Sequence, residues 1–511
     1  MLITGQIPRR RLLIAASAAL AAPAIARAQS RPASTPFTLG VASGWPRPDR
    51  VVLWTRLAPQ PLDGGGMPDA PVDVAWELAE DERFARIAAR GRFSATAAEA
   101  HSVHVEAGGL RPARPYWYRF HAAGHTSPVG RTRTAPADTA KPDRLRLALA
   151  SCQQYEQGWY SAYRHMAAEP LDLVVHVGDY IYEMSWGARH VRKHGTANPT
   201  TLGEYRDRYA LYKSDPDLQA AHAACPWVAT WDDHEVENDY TDDRSPMMSD
   251  RDFFLRRRAA AYRAWYEHMP APPAMAPSGP NARIYGSLRF GDLVELFTLD
   301  DRQYRSHHAC AEGKGGRALF TDCAERLDPR RTMLGAEQEA WLRDGLARAS
   351  GRWTLLAQQT LMAEADRART DAGKPAYWMD GWDGYPMARQ RLLDAMAARR
   401  GANHVVLGGD VHMYAVADLR TGSGPVVASE FVGTSITSQG PSAQRVRTLT
   451  ARNAHLKYLR GDKRGYTLLD ITPAICQVHL DVVDDVTDPK SAKSRLASFV
   501  VPAGKPGAVP A

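Results

Sequence analysis

The sequence predicts an α/β protein with a small all-β sandwich ahead of its main core, and three observations predict it. Residues 37–136 carry short strand-like runs divided by Pro- and Gly-rich turns. Beyond residue 142, apolar strand-like runs alternate with helical ones over some 300 residues, the pattern of sheets flanked by helices. Four of those later strands end in the same way, on Cys, Asp, Tyr or His. At 511 residues the chain is also too long for one core.

Residues 1–28 read as an export signal. Arg9, Arg10 and Arg11 precede an Ala-rich apolar stretch too short to span a bilayer, and Ala26-Arg27-Ala28 is a small-x-small cleavage site. The paired arginines point to the twin-arginine export machinery as a partner of the precursor, with an ordinary secretory signal as the alternative. A periplasmic or secreted location follows as an expectation. The formal charge is +7, and removal of those three arginines and Arg27 leaves +3. No basic run interleaved with aromatics occurs, which argues against a nucleic-acid partner. No later run of 18 apolar residues occurs, so no integral membrane segment is expected.

After a Pro/Ser linker at 29–36, the runs 51–57, Val72–Ala79, 102–107 and 116–122 read as strands of the N-terminal sandwich, residues 37–136. The Leu110-Arg-Pro-Ala-Arg-Pro-Tyr116 stretch resembles fibronectin type III or immunoglobulin-like modules, and no cluster of metal ligands lies in this part. A second linker, 136–142, leads into a unit expected to run from 143 to 490. Its strands are expected at Leu145–Ala150, 171–177, 228–231, 284–290, 293–299, Trp353–Ala357 and 404–407. Helices are expected at 159–168, 202–209, 218–223, 252–268, 336–349 and 389–400, with mainly β structure from 414 onward and a loose tail at 491–511. Of five cysteines, Cys310 and Cys323 bracket a Gly- and charge-rich loop and are the expected disulfide pair.

The chain is organised around residues 171–182, where a β-branched strand breaks at Gly178 and is followed by Asp179 and Tyr182. A helix started there would put both on one face. Taken alone, the pair is equally an N-cap and a core phenol. The same event recurs, however. Leu145–Ala150 leads to Ser151-Cys152, the 228–231 run to Asp232-Asp233-His234-Glu235, and the 404–407 run to Gly408-Gly409-Asp410-Val411-His412. Strands sharing a sheet would bring these ends together where α/β proteins bind ligands.

In this order the motifs resemble the calcineurin-like and purple acid phosphatase-like metallophosphoesterases, and their spelling resembles the D-type, PhoD-like alkaline phosphatase/phosphodiesterase family. The resemblance implies an α-β-β-α metallophosphoesterase-like sandwich and hydrolysis of phosphate mono- or diesters by a metal-bound hydroxide. Carried over by position, it implies Fe³⁺ held by Cys152, Asp179, Tyr182 and His412. Asp179 would bridge to a second metal completed by Asp233 and Asp410, where an all-oxygen set favours Ca²⁺. It leaves His234 off the metals to serve a small phosphoester substrate, with Arg302 or Arg305 as a phosphate clamp. Where the family pattern has a further His this chain has Gln359, so Gln359 and Asn238 are possible fillers at the second metal. Two alternatives stand beside this reading: phospholipase D-like action on lipid or wall polymers, and an exported surface protein whose metals are only structural. A zinc hydrolase fits the tyrosine and paired carboxylates less well.

Overall fold

The structure is a computed structural model that describes residues 34–247, 250–311, 316, 318–369, 373–399 and 401–511. The export signal expected at 1–28 lies outside the described residues. Two large sheets face one another. The first has ten strands; its parallel centre is Leu145–Ala150, Leu173–His176 and Trp227–Ala229. The second has seven, with a parallel centre of Val294–Thr298, Trp353–Ala357, Asn403–Gly408 and Val426–Val432.

The alternation of side chains along these strands builds the layers. On the second sheet, Leu355, Val405 and Leu407 face inward and join Leu147, Leu149 and Val175 of the first in one core. Their neighbours Leu356 and Val406 face outward and pack with Leu342, Leu346, Leu392 and Met396 of the helices Gly335–Arg348 and Pro386–Ala398. The outer face of the first sheet is covered by Ser161–Ala167, Leu202–Lys213, Pro216–Ala224 and Arg251–His268. This is the expected α-β-β-α layering. Local signals place these helices: Thr201 and Glu204 form a capping box ahead of Leu202–Lys213, and Asp215 caps a helix that begins on Pro216.

Three expectations need correction. The sandwich core of 37–136 is present, with Val51, Leu53 and Val105 packed against Val74, Leu78 and Tyr118. It is not a separate module, though. Its strands Val41–Gly44, Arg50–Arg56 and Ser102–Gly108 continue the ten-stranded sheet, joined where Gly44 pairs in parallel with Trp227. Short Trp227–Ala229 would otherwise present a bare edge. Second, the tail at 491–511 is not loose: Lys493–Pro502 pairs along the whole of Ile475–Val483, and Val509–Pro510 pairs with it in turn. Its Phe499, Val501 and Ala508 enter the main core. Third, the polar strand Ile87–Ala95 and the helix Ala443–Arg452 were not expected. Both bury little: the strand fully buries only Ala95, and the helix, although amphipathic, fully buries only Thr448 and Leu449. The Cys310–Cys323 disulfide is formed.

Candidate metal centre

The four strand-end motifs meet at one place. The backbone laces them together: Cys152 N–H donates to Gly178 O (3.1 Å), Gln153 N–H to Asp179 O (3.0 Å), and Ser438 N–H to Cys152 O (3.2 Å). Gly178 is required here, since it sits at φ +108° and a Cβ would meet Asp232 at 2.4 Å. Gly409 is pressed against Ser151, where a Cβ would meet Oγ at 2.6 Å. Cys152, Asp179, Asp410 and His412 all adopt the left-handed conformation, at φ 58°, 57°, 61° and 54°. Non-glycine residues take this conformation rarely and at a cost, and such positions gather at functional sites.

No helix follows Gly178. The left-handed turn at Asp179 does the same work, and Tyr182 Oη donates to Asp179 Oδ2 at 2.7 Å. Tyr182 Oη also lies 3.1 Å from His412 Nε2 and accepts from Ser438 Oγ at 2.8 Å. The donor atoms of Cys152, Asp179 and His412 lie within 4.8 Å of one another. His412 is oriented by its Nδ1, 3.1 Å from Gln439 O, and by Trp186, whose ring stacks on it at 5.5 Å. With 16% of its side chain exposed, His412 marks the open side of the cage.

A second group shares Asp179: it joins Asp233 and His234, again within 4.8 Å, and a third joins Asp233, Asp239 and Asp380. His234 Nδ1 lies 2.6 Å from Glu183 Oε2, so Nδ1–H donates to the carboxylate and Nε2 is left for the site. Asp410 and His412, two residues apart, would share one side of an extended segment. Both are left-handed instead, and Asp410 falls outside these tight groups, although its Oδ2 is buried without a partner.

The donor chemistry fits cations. Asp179 Oδ1 and Asp410 Oδ2 are buried and unpartnered, which costs free energy unless a positive charge meets them. Burial pushes the Asp410 carboxyl up to about 7 against the pull of Arg302, and raises Asp232 and Asp233 for the same reason. Burial and the neighbouring Asp179 drive the Cys152 thiol and the Tyr182 phenol well up. Such groups ionise together only around metal charge.

The two arginines are placed differently from expectation. Both are fully buried, and they hold carboxylates. Arg302 Nη1 straddles both oxygens of Asp380 at 2.8 Å, its Nε binds Asp232, and Nη2 stands 3.6 Å from Asp233. Arg305 Nη1 binds Asp380 Oδ1 and its carbonyl, both at 2.8 Å. Neither Nη2 makes a hydrogen bond, although that of Arg302 keeps its ion pair with Asp233. Gln359 cannot serve as a filler, because its amide donates to Thr230 Oγ1 and Leu299 O and accepts from Asp301 N–H. Sequence reasoning missed Asp239, Asp380, Glu183 and Glu235. Glu235 accepts from the N–H groups of Asp179, Tyr180 and Asp232, and so pins two strand ends. A clue to Glu235 was its place in Asp-Asp-His-Glu; Asp380 follows a two-residue strand and had no such signal.

The chain is similar to known proteins over nearly its whole length. The family model described as PhoD-like phosphatase matches residues 147–480, and that of the PhoD-like phosphatase N-terminal domain matches residues 21–136. Alkaline phosphatase D of Bacillus subtilis (strain 168) is 45% identical over 479 residues, covering 91% of this chain and 81% of the relative. A solved structure titled "Structure of PhoD" superposes with a TM-score of 0.89 at 44% identity, covering 94% of this chain and 92% of the other.

Proposed function

The chain belongs to the PhoD-like phosphatase family, and from that premise we propose that it is an exported, metal-dependent hydrolase of small phosphate esters. The observation that carries the proposal is the buried carboxylate of Asp179 shared by two neighbouring donor groups, one holding Cys152 and His412 and the other Asp233. Thiolate, phenolate, imidazole and carboxylate from Cys152, Tyr182, His412 and Asp179 suit Fe³⁺. Oxygen donors from Asp179, Asp233 and Asp410 suit Ca²⁺. Metal ions held there would supply Lewis acidity toward a phosphoryl oxygen and acidify a water for attack.

The chain's own groups do the rest. His234 is held by Glu183 and kept protonated: burial opposes its charge, but Glu183 and Asp233 outweigh that and raise its pKa well above the ordinary value. Its Nε2–H is the group placed to give a proton to the departing ester oxygen as the phosphorus–oxygen bond breaks. Arg302 and Arg305 keep Asp232 and Asp380 in place. Their Nη2 groups, which make no hydrogen bond, are the remaining candidates for contact with a bound anion. Trp186 and His412 line the mouth through which an ester enters.

Export through the twin-arginine route rests on the Arg9-Arg10-Arg11 motif, and Arg10→Lys with Arg11→Lys should strand the precursor in the cytoplasm. The decisive test of the activity is chelation followed by add-back of iron and calcium singly and together. Turnover should need both, and the parent ester (mono or di) with the higher kcat/KM identifies the preference. Full activity after complete chelation would overturn the proposal. A structural-metal protein would show no turnover under any addition.

A further inference from the structure

Beside the metal centre lies a cationic cavity that the mechanism above does not use. It has a volume of about 530 Å³ and is lined by Arg367, Arg369, Arg445, Trp378, Ser442 and Gln444, with no carboxylate among its described lining residues. Its walls are continuations of the centre's own walls. Trp378 stands two residues before Asp380, and Ser442 three residues after Gln439, whose carbonyl orients His412.

Arg367 is the telling residue. Its guanidinium carbon stands over the Trp378 ring, 4.5 Å from the centroid, and its Nε is fully buried with no hydrogen-bond partner. An arginine fork stacked in this way, with no carboxylate paired to it among the described residues, is arranged for an anion that arrives from outside. The nearby carboxylate, Asp366, is taken: it pairs with Arg452 and accepts from the N–H groups of Ala368 and Ala376. Arg445 anchors to the carbonyls of Ala368 and Arg367, which fix its position without cancelling its charge. The helix Ala443–Arg452 begins at this cavity, capped by Ser442, and turns its positive end toward it. Burial lowers the Arg367 pKa, while Asp383, Asp410 and Asp380 act in the other direction, which places the guanidinium within electrostatic reach of the centre.

We infer that this cavity is a second anion subsite, in which Arg367, Arg369 and Arg445 hold a further phosphate carried by the substrate molecule whose ester is cleaved at the metals. The inference rests on the proposed activity and gives it a preference for phosphoesters bearing at least two phosphate groups.

The probes are two esters with one leaving group: thymidine 5′-(p-nitrophenyl phosphate) and the same ester carrying a 3′-phosphate. For the holoenzyme the second phosphate should raise kcat/KM for nitrophenol release by about tenfold or more, through KM, as charge-assisted hydrogen bonds of this kind do. Arg367→Met should abolish that advantage and leave the one-phosphate ester unchanged. Calorimetric binding to an inactive Asp233→Asn protein separates the two claims. There the 3′-phosphate should still tighten binding, and Arg367→Met should remove the difference. Turnover of both esters with equal KM, or an advantage that survives Arg367→Met, overturns the subsite. Arg367-dependent binding without turnover of these diesters, or of p-nitrophenyl phosphate, by the parent overturns the activity and leaves the subsite standing.

Discussion

At the residue scale the account turns on groups that are buried, polar and unsatisfied by protein alone. Cys152, Asp179, Tyr182 and His412 could be read from sequence because each lies within a few residues of the end of an apolar strand. Their mutual reach could not be read, because it depends on left-handed backbone that no periodicity encodes. Asp410 shows this limit: its position was legible, but the direction of its side chain was not. For His234 the pairing with Glu183 yields a specific expectation. His234→Ala should lower turnover of an alkyl ester by about 10²–10⁴-fold. It should cost far less for a nitrophenyl ester, whose leaving group needs no proton. Equal losses on both would show that His234 does not serve the leaving group. Outside the centre, Lys213 is buried over Trp54, 4.1 Å from the ring centroid, and burial pushes its ammonium down to about 7. Its unfolded value is higher, so the unfolded chain binds the extra proton between about pH 7 and 10.4, and stability rises with pH across that window. Lys213→Met should therefore stabilise by ~1–3 kcal/mol near pH 6, the cation–π contact offsetting part of the burial cost, and the gain should fade toward pH 10. Thermal unfolding at the two pH values checks the sign.

At the element scale, the strands and helices with strong apolar period were legible almost to the residue, as with Val72–Ala79, Leu145–Ala150 and Trp353–Ala357. The elements that escaped were those with one thin apolar face or none, such as Ile87–Ala95 and the two-residue strand Tyr377–Trp378 that delivers Asp380. The junctions between strand and ligand are where the fold is tightest. Gly178→Ala would force a Cβ into Asp232 at a left-handed position, so it should destabilise by ~2–4 kcal/mol. Because Asp179 and Asp232 move with that junction, the purified variant should also carry less metal than the parent. Elemental analysis together with thermal unfolding distinguishes this from a purely structural loss.

At the scale of the whole molecule, the linkers at 29–36 and 136–142 suggested beads on a string, and the composition gave no hint otherwise. What joins the parts is pairing between distant strands, Gly44 with Trp227 and Leu145–Ala150 with Arg464–Ile471, which no local window can display. The molecule should accordingly unfold in one calorimetric transition, and a chain starting at residue 137 should not fold, since it bares the edge of Trp227–Ala229. Two separate transitions would restore the picture of independent modules. The central claim, that distant strand ends assemble one metal cage, is tested most directly by the visible spectrum of the iron-loaded protein. A phenolate from Tyr182 on ferric iron should give a charge-transfer band that is absent from the metal-free protein and lost in Tyr182→Phe. A colourless protein that is fully metallated and active would contradict it.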